Sequence, residues 1–239
     1  MTRSLTDFWV YLQTGPLLWL VLTLAAYAAA HALFHRTHGN PLLNPVAIAV
    51  ALIVTVLWST GTSYATYFDG ARFVHFLLGP ATVSLAVPLW RNLAAVRRLL
   101  VPMTLGLLIG SATAILSSVG IAALLGADHE TLVSLAPKSA TMPIAMAVSE
   151  RLGGLPSLTA AFVLLTGIIG AMTATPLLNL LRLRDYRARG FAVGLTSHGI
   201  GTARGFEVDQ LAGTFAGIAM GLNGLVTALL APVLLAWLR

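Results

Sequence analysis

From Leu99 to Leu125 the chain carries no charged residue. A helix needs about 20 mainly apolar residues to cross the hydrocarbon core of a bilayer, so this run suffices for one crossing. Comparable runs extend from about Pro16 to Phe34, Pro41 to Trp58, Leu158 to Leu181 and Leu211 to Leu238. Within lipid a segment has to satisfy its own backbone N–H and C=O groups, which makes each span a helix. With 57% hydrophobic and 9% charged residues over 239 positions, no room is left for a soluble domain. The expected fold is an all-α polytopic membrane protein, one integral membrane domain over 1–239 with about seven or eight transmembrane segments. Arg3, the apolar run from Leu17 and Ala28-Ala29-Ala30 imitate a signal peptide, but the long first region with Asp7 and Trp9 favours a retained first span.

The net charge of +6 does not point to nucleic acid. The basic residues stand at the ends of apolar runs, Arg91, Arg97 and Arg98 in one group and Arg182, Arg184, Arg187 and Arg189 in another, as cytoplasmic loops do in a multi-pass membrane protein. Three apolar segments separate the two groups, so simple alternation would put them on opposite faces. Either one segment fails to cross or one group faces outward. The absence of cysteine excludes disulfides and thiolate chemistry, and His31, His35 and His38 lack a metal-ligand pattern beyond one i, i+4 pair. No metal or cofactor is expected. No Gly-x-Ser-x-Gly elbow, zincin helix or Walker pattern is present, which argues against an enzyme.

Three stretches break the helical pattern. Val74 to Leu89 contains Gly79-Pro80 and Pro88, Thr131 to Glu150 contains Pro137 and Pro143, and Phe191 to Arg204 is rich in glycine and hydroxyls. Proline removes a backbone donor and clashes with the preceding turn, so straight helices are not expected there. Pro80-Ala81-Thr82-Val83-Ser84 and Pro137-Lys138-Ser139-Ala140-Thr141 each place hydroxyls two and four residues after a proline, at an offset of 57 (137 minus 80). This suggests an internal, inverted repeat, and paired broken spans point to a transporter's midplane binding site. The short stretch Trp90 to Arg98 reads as an interfacial helix, Gly106 and Gly110 as a close helix contact, and Gly213, Gly217 and Gly221 as a packing ladder within or between protomers.

Lys138 is the only lysine and lies in an apolar segment, where a charge is costly unless paired or hydrated. Flanked by Ser139 and Thr141, it suits a carboxylate, although snorkelling to headgroups would also place a lysine there. Thr196 to Arg204 offers hydroxyls (Ser197, Thr202), small residues (Gly199, Gly201), a guanidinium and His198, as an anion-binding re-entrant loop would. His198 and Glu150 are the candidates for proton coupling; Glu150 could also pair with Lys138 across the site, and an interfacial pair with an arginine is the favoured reading for it. Asn223, in the last span, serves as a ligand or as interhelical glue. By the echo, Thr82 and Ser84 join the substrate-binding set.

Ala136-Pro137-Lys138-Ser139-Ala140-Thr141-Met142-Pro143-Ile144-Ala145-Met146, Ser149-Glu150, Gly153-Gly154-Leu155-Pro156-Ser157-Leu158-Thr159, Leu165-Thr166-Gly167-Ile168-Ile169-Gly170, Arg189-Gly190, Ser197-His198-Gly199-Ile200-Gly201-Thr202-Ala203 and Glu207 resemble the signature of the LrgB/CidB family. The likeness runs from about Leu135 to the C-terminus, so 131–239 reads as the signature region and 1–130 as preceding spans. The family's usual Thr-Thr-Pro is here Thr141-Met142-Pro143. The resemblance implies one of two functions. One is carriage of small 2-hydroxy or 2-oxo monocarboxylates such as glycolate, glycerate or pyruvate. The other is holin- or antiholin-like control of murein hydrolase release with a small LrgA/CidA-type membrane partner. Polar, specific chemistry at Lys138 and His198 favours proton-coupled alternating access, with a homodimer expected. A passive channel is the weaker third reading.

Overall fold

The computed structural model describes residues 15–84 and 86–237, so Arg3, Asp7 and Trp9 lie outside the described residues. Every element among the described residues is helical. The chain divides into two compact units, 1–84 and 85–239.

In the first unit, α1 (Pro16–Arg36) packs on α2 (Pro45–Thr60) and α3 (Tyr64–Phe76), and α4 (Leu78–Ser84) follows. Asn44 caps α2 by accepting from the Val46 and Ala47 N–H groups, and Gly61 ends it in the left-handed region. Trp19 is fully buried and meets Tyr67 edge to face, while Thr23 lies 3.1 Å from the Tyr67 hydroxyl. As the prolines of Val74 to Leu89 lead one to expect, this segment is not a straight helix: a turn at Leu77 separates α3 from α4, and Leu85 lies outside the described residues.

The second unit begins with α5 (Ala86–Arg91) and α6 (Leu93–Arg98), then the long α7 (Leu100–Leu124). The interfacial helix expected over Trp90 to Arg98 is thus divided at Asn92, whose side-chain amide donates to the Pro88 carbonyl. After α8 (His129–Leu135) and α9 (Met142–Leu152) come α10 (Pro156–Leu180), α11 (Tyr186–Val208) and α12 (Gln210–Trp237). α1, α7, α10 and α12 are long and apolar enough to cross a membrane, and α2 is a shorter apolar helix.

α7 and α12 run side by side in the same direction. Met103 packs with Phe215, Leu107 with Ala219, and Ile115 and Val119 with Ala231 and Leu235. α10 runs the other way, from Thr159 beside Ser134 to Thr175 beside Arg204. Two long helices therefore separate Arg97 and Arg98 from Arg182, Arg184, Arg187 and Arg189, and both arginine groups lie at one end of the unit. The segments between the long helices account for this: each doubles back.

In α11 the reversal is at Ser197 (φ −124°, ψ 16°) and His198 (φ 40°, ψ −130°). A continuous helix would hold Val193 and Gly201 about 12 Å apart along its axis, yet a Cβ on Gly201 would lie 2.7 Å from the Val193 carbonyl oxygen. Gly190 and Gly205, on opposite limbs, both reach the start of α12 at Ala212 and Gly213. α11 is thus a helical hairpin. The α8 to α9 segment is a second one, because Ser134 on one limb and Ser149 on the other both lie against Gly154. The Pro137 break becomes a turn, with Lys138 N–H bonded to Leu135 O and Ala140 N–H to Pro137 O. Pro143 sits in the first turn of α9, where its missing donor costs nothing.

The two hairpins approach α12 from opposite ends. Val133, Ala136 and Val148 pack with Ala231 and Leu235, while Gly190 and Gly194 lie against the Ala212 and Ala216 carbonyls. Of the glycine ladder, Gly213 leaves space for the Phe206 ring, whereas a Cβ on Gly221 would meet nothing within 4 Å. Gly110 does make the expected close contact, a Cβ there falling 2.9 Å from Leu195 Cδ1.

A Cβ on Gly194 would collide with backbone, not with a flexible side-chain end. Gly194→Val should therefore destabilise by about 1–3 kcal/mol or more, read as a lowered thermal midpoint in detergent. Gly120→Ala in α7, which meets nothing, should be neutral or stabilise by up to about 1 kcal/mol.

Candidate functional site

The tips of the hairpins meet at Asn223, which stands near the middle of α12 and is 0% exposed. Its Nδ2 donates to Ser139 O (3.0 Å) in the first hairpin turn and to Leu195 O (2.9 Å) beside the second. Its Oδ1 accepts from Ser111 Oγ (2.6 Å) on α7 and Thr227 Oγ1 (3.3 Å) one turn along α12. A carboxamide has two N–H donors and two carbonyl lone pairs, so all four positions are filled by protein. Asn223 consequently holds the backbone around the site. Leu195 is the residue whose carbonyl a continuous helix would bond to Gly199, across the reversal.

Lys138 projects from the first turn and is half-buried. Two residues on, Ala140 packs with Val163, whose carbonyl is the partner of His198 Nε2, so the same part of α10 joins the turns that carry the two residues that stood out in the sequence. Among the described residues the Lys138 ammonium makes no salt bridge, the two that occur being Arg187–Asp185 and Arg204–Glu207. Ser139 is buried at 5% exposure, and its Oγ has no hydrogen-bond partner. Thr141 is the N-cap of α9 but makes no side-chain capping bond. The hydroxyls of Ser139 and Thr141 are thereby uncommitted beside Lys138, at the N-terminal end of α9, where backbone N–H groups carry partial positive charge.

His198 is buried at 6% exposure and its Nε2 lies 3.0 Å from Val163 O on α10. A carbonyl only accepts, so Nε2 carries the proton and donates it. α10 makes room through Gly167, where a Cβ would fall 2.6 Å from His198 Cε1, and Gly170, where it would strike Ser197 Oγ. Thr202 Oγ1 donates 2.8 Å to His198 O, closing the reversal from its far side. Gly199 is exposed and Gly201 buried against the opposite limb.

Two other expected site residues of this unit, Arg204 and Glu150, lie apart from this centre. Arg204 pairs with Glu207 at 3.0 Å and donates to Thr175 at 3.3 Å, toward the arginine-bearing end. Glu150 is exposed, about 13 Å along α9 from Thr141, and forms no salt bridge with Lys138 or an arginine among the described residues. Ser84 is exposed at the end of α4 in the other unit, and the Thr82 side chain lies outside the described residues. His31 and His35 face each other at 3.0 Å, but no group of three or more metal-ligating side chains occurs among the described residues.

The base of the first hairpin is fixed by fully buried hydroxyls to which the sequence alone assigns no role. Ser134 Oγ accepts from Leu155 N–H (2.8 Å), and Thr159 Oγ1 lies 3.0 Å from Ser134 O and 2.7 Å from Ser149 Oγ. Their only signal is that hydroxyls recur inside otherwise apolar segments, as they do at Ser111 and Thr227.

A family model described as the LrgB-like family matches residues 23–237. The chain belongs to that family. The match reaches well into the first unit, beyond the region from Leu135 onward that carries the recognisable motifs. Among similar proteins, the uncharacterized protein YxaC of Bacillus subtilis is 36% identical over 219 residues, covering 92% of this chain and 94% of that protein. The holin-like protein CidB of Staphylococcus epidermidis is 32% identical over 225 residues, covering 94% and 97%. CidB of Staphylococcus aureus is 32% identical over 219 residues, covering 92% and 95%. No solved structure matches. This LrgB-family chain is accordingly a helical membrane protein whose polar centre lies between two opposed hairpins.

Thr159→Val preserves volume while deleting the hydroxyl that joins both limbs of the first hairpin to α10. It should cost about 1–3 kcal/mol, the range for leaving buried polar groups unsatisfied, measured as thermal unfolding in detergent. Thr173→Val, whose exposed hydroxyl bonds only to Ile169 O in its own helix, should change stability by less than about 0.5 kcal/mol.

Proposed function

We propose that the protein is a carrier of small organic monocarboxylates working by proton-coupled alternating access in the bacterial inner membrane. The observation that carries this reading is the meeting of two opposed hairpin tips at mid-length of α12, with the unpaired Lys138 beside uncommitted Ser139 and Thr141 hydroxyls. A half-buried ammonium in an apolar segment without a counter-ion is a poor structural device, because its partial desolvation is not offset by a partner. A substrate carboxylate supplies the missing charge, and the N-terminal ends of the limbs beginning at Met142 and Gly199 favour an anion between them. A 2-hydroxy or 2-oxo group, as in glycolate, glycerate or pyruvate, is then placed for Ser139 or Thr141, with the Ser197 to Thr202 backbone opposite. His198 is the proposed proton carrier through its Nδ1, since Nε2 is engaged; Glu150 is at most an outer relay.

An inverted repeat fits this reading. Asp128 caps α8 and Asp185 caps α11 at the same offset of 57 (185 minus 128) that relates Pro80 to Pro137. In each case a hairpin precedes an oppositely directed long helix. With both hairpins re-entrant, α7, α10 and α12 supply three crossings, and α1 with the shorter apolar α2 offers one or two more in the first unit, fewer than the seven or eight expected from the sequence. The positive-inside bias then places the arginine-bearing end in the cytoplasm. A homodimer, or assembly with a small LrgA/CidA-type partner, remains part of the proposal.

The second reading, holin-like control of lysis, is favoured by the name of the Staphylococcus relatives. It assigns no work to an unpaired Lys138, and this difference separates the two.

In proteoliposomes containing only this protein, uptake of labelled glycolate or pyruvate should be stimulated by an inward proton gradient. Lys138→Ala should lower apparent affinity about 10- to 100-fold, as expected for losing charge-assisted hydrogen bonds of about 1.5–3 kcal/mol, with insertion unchanged. Wild-type uptake in the variant would overturn the assignment of Lys138. Absence of cysteine also allows a direct test of orientation. In intact cells an impermeant maleimide should label Asp128→Cys, and should reach Arg184→Cys only after permeabilisation.

A further inference from the structure

Asn223 joins the two hairpins through the two protons of a single nitrogen, one to each tip. We infer that Asn223 is the positioning residue that couples the two gates, a latch that keeps at least one hairpin closed at any moment. This rests on the transport reading and extends it to the regulation of the same site.

The geometry is specific to that role. Ser139 O and Leu195 O lie on elements that enter from opposite ends of α12 and share no other hydrogen bond with each other among the described residues. Ser111 and Thr227 hold Oδ1 from α7 and α12, so the carboxamide plane is fixed by two long helices while its N–H groups face the two tips. If one tip withdraws, one N–H loses its acceptor in a water-poor interior. If both withdraw, both N–H groups and both tip carbonyls are orphaned together, so the doubly open state is penalised more than either singly open state. A residue serving only as glue between long helices would not need to place its two donors on carbonyls at the two hairpin breaks, one in a turn and one just before a reversal.

The decisive variant is Asn223→Asp, assayed at alkaline pH so that the carboxyl is ionised, which keeps the size and the acceptor for Ser111 and Thr227 but carries no donor. Ser139→Cys and Leu195→Cys, introduced singly into the cysteine-free chain, report release of each tip by their rate of maleimide labelling. With Asn223 present both should react slowly. Asn223→Asp should raise both rates at least tenfold, and in proteoliposomes should convert saturable counterflow into a leak. Ser111→Ala, which leaves both tip bonds in place, should raise neither rate by more than about twofold. Thermal unfolding separates the latch from simple misfolding, since the Asp variant should still give a cooperative transition. Labelling of either tip at the wild-type rate in a folded Asn223→Asp protein overturns the inference. If the wild-type protein proves to move no monocarboxylate, the transport reading fails while the labelling rates still decide whether Asn223 holds the tips.

Discussion

The second unit depends on how closely α11 approaches α12. Gly190 and Gly194 lie against the Ala212 and Ala216 carbonyls with no space for a Cβ, and Gly205 packs on Gly213 from the returning limb. In lipid the solvent is as apolar as the side chains, so helices associate through close packing and polar contacts more than through a hydrophobic drive. Small residues on both partners make that approach possible, and the approach fixes the depth at which the second hairpin turns. Leu195 O thereby comes within 2.9 Å of Asn223. With bulkier residues at Gly190 and Gly194 the hairpin would stand away from α12 and the polar centre would not form.

Irregular backbone is tolerated at membrane depth only where protein or a cavity satisfies it. Both hairpins meet this condition with few side chains. Asn223 serves one carbonyl from each tip, Thr202 bonds the His198 carbonyl, and the His198 ring bonds a carbonyl of α10. Against this background of satisfied groups, the uncommitted Ser139 Oγ and the Lys138 ammonium stand out. Polar atoms left without partners in so economical a site are the ones free to meet a ligand.

Several features were legible before any coordinates. Breaks at Pro137 and in the Ser197 to Thr202 stretch and the long helices on either side all followed from proline chemistry, glycine content and hydropathy. Others were not. Ser134, Ser149 and Thr159 look like ordinary hydroxyls in apolar surroundings, and only their convergence from three helices makes them a structural joint. Arg204 and Glu150 read as site residues by type and neighbourhood, yet each lies away from the tips, because a helix carries a residue about 1.5 Å further along its axis per position.

The arginine groups mark the boundary between the two kinds of information. Hydropathy and charge are local properties, and they sufficed to establish a helical membrane protein with broken segments and two basic clusters that ought to share a face. They could not decide whether the segment from Thr131 to Glu150 crosses or returns, since the same apolar residues suit either path. That choice was made by tertiary contacts: Ser134 against Gly154 and Thr159, and the Ser139 carbonyl on Asn223 of the last helix. Sequence by itself determined where the helices must break; only packing against residues far along the chain decided that each break is a reversal, because a hairpin is stabilised by what its limbs and tip touch and not by the limbs themselves.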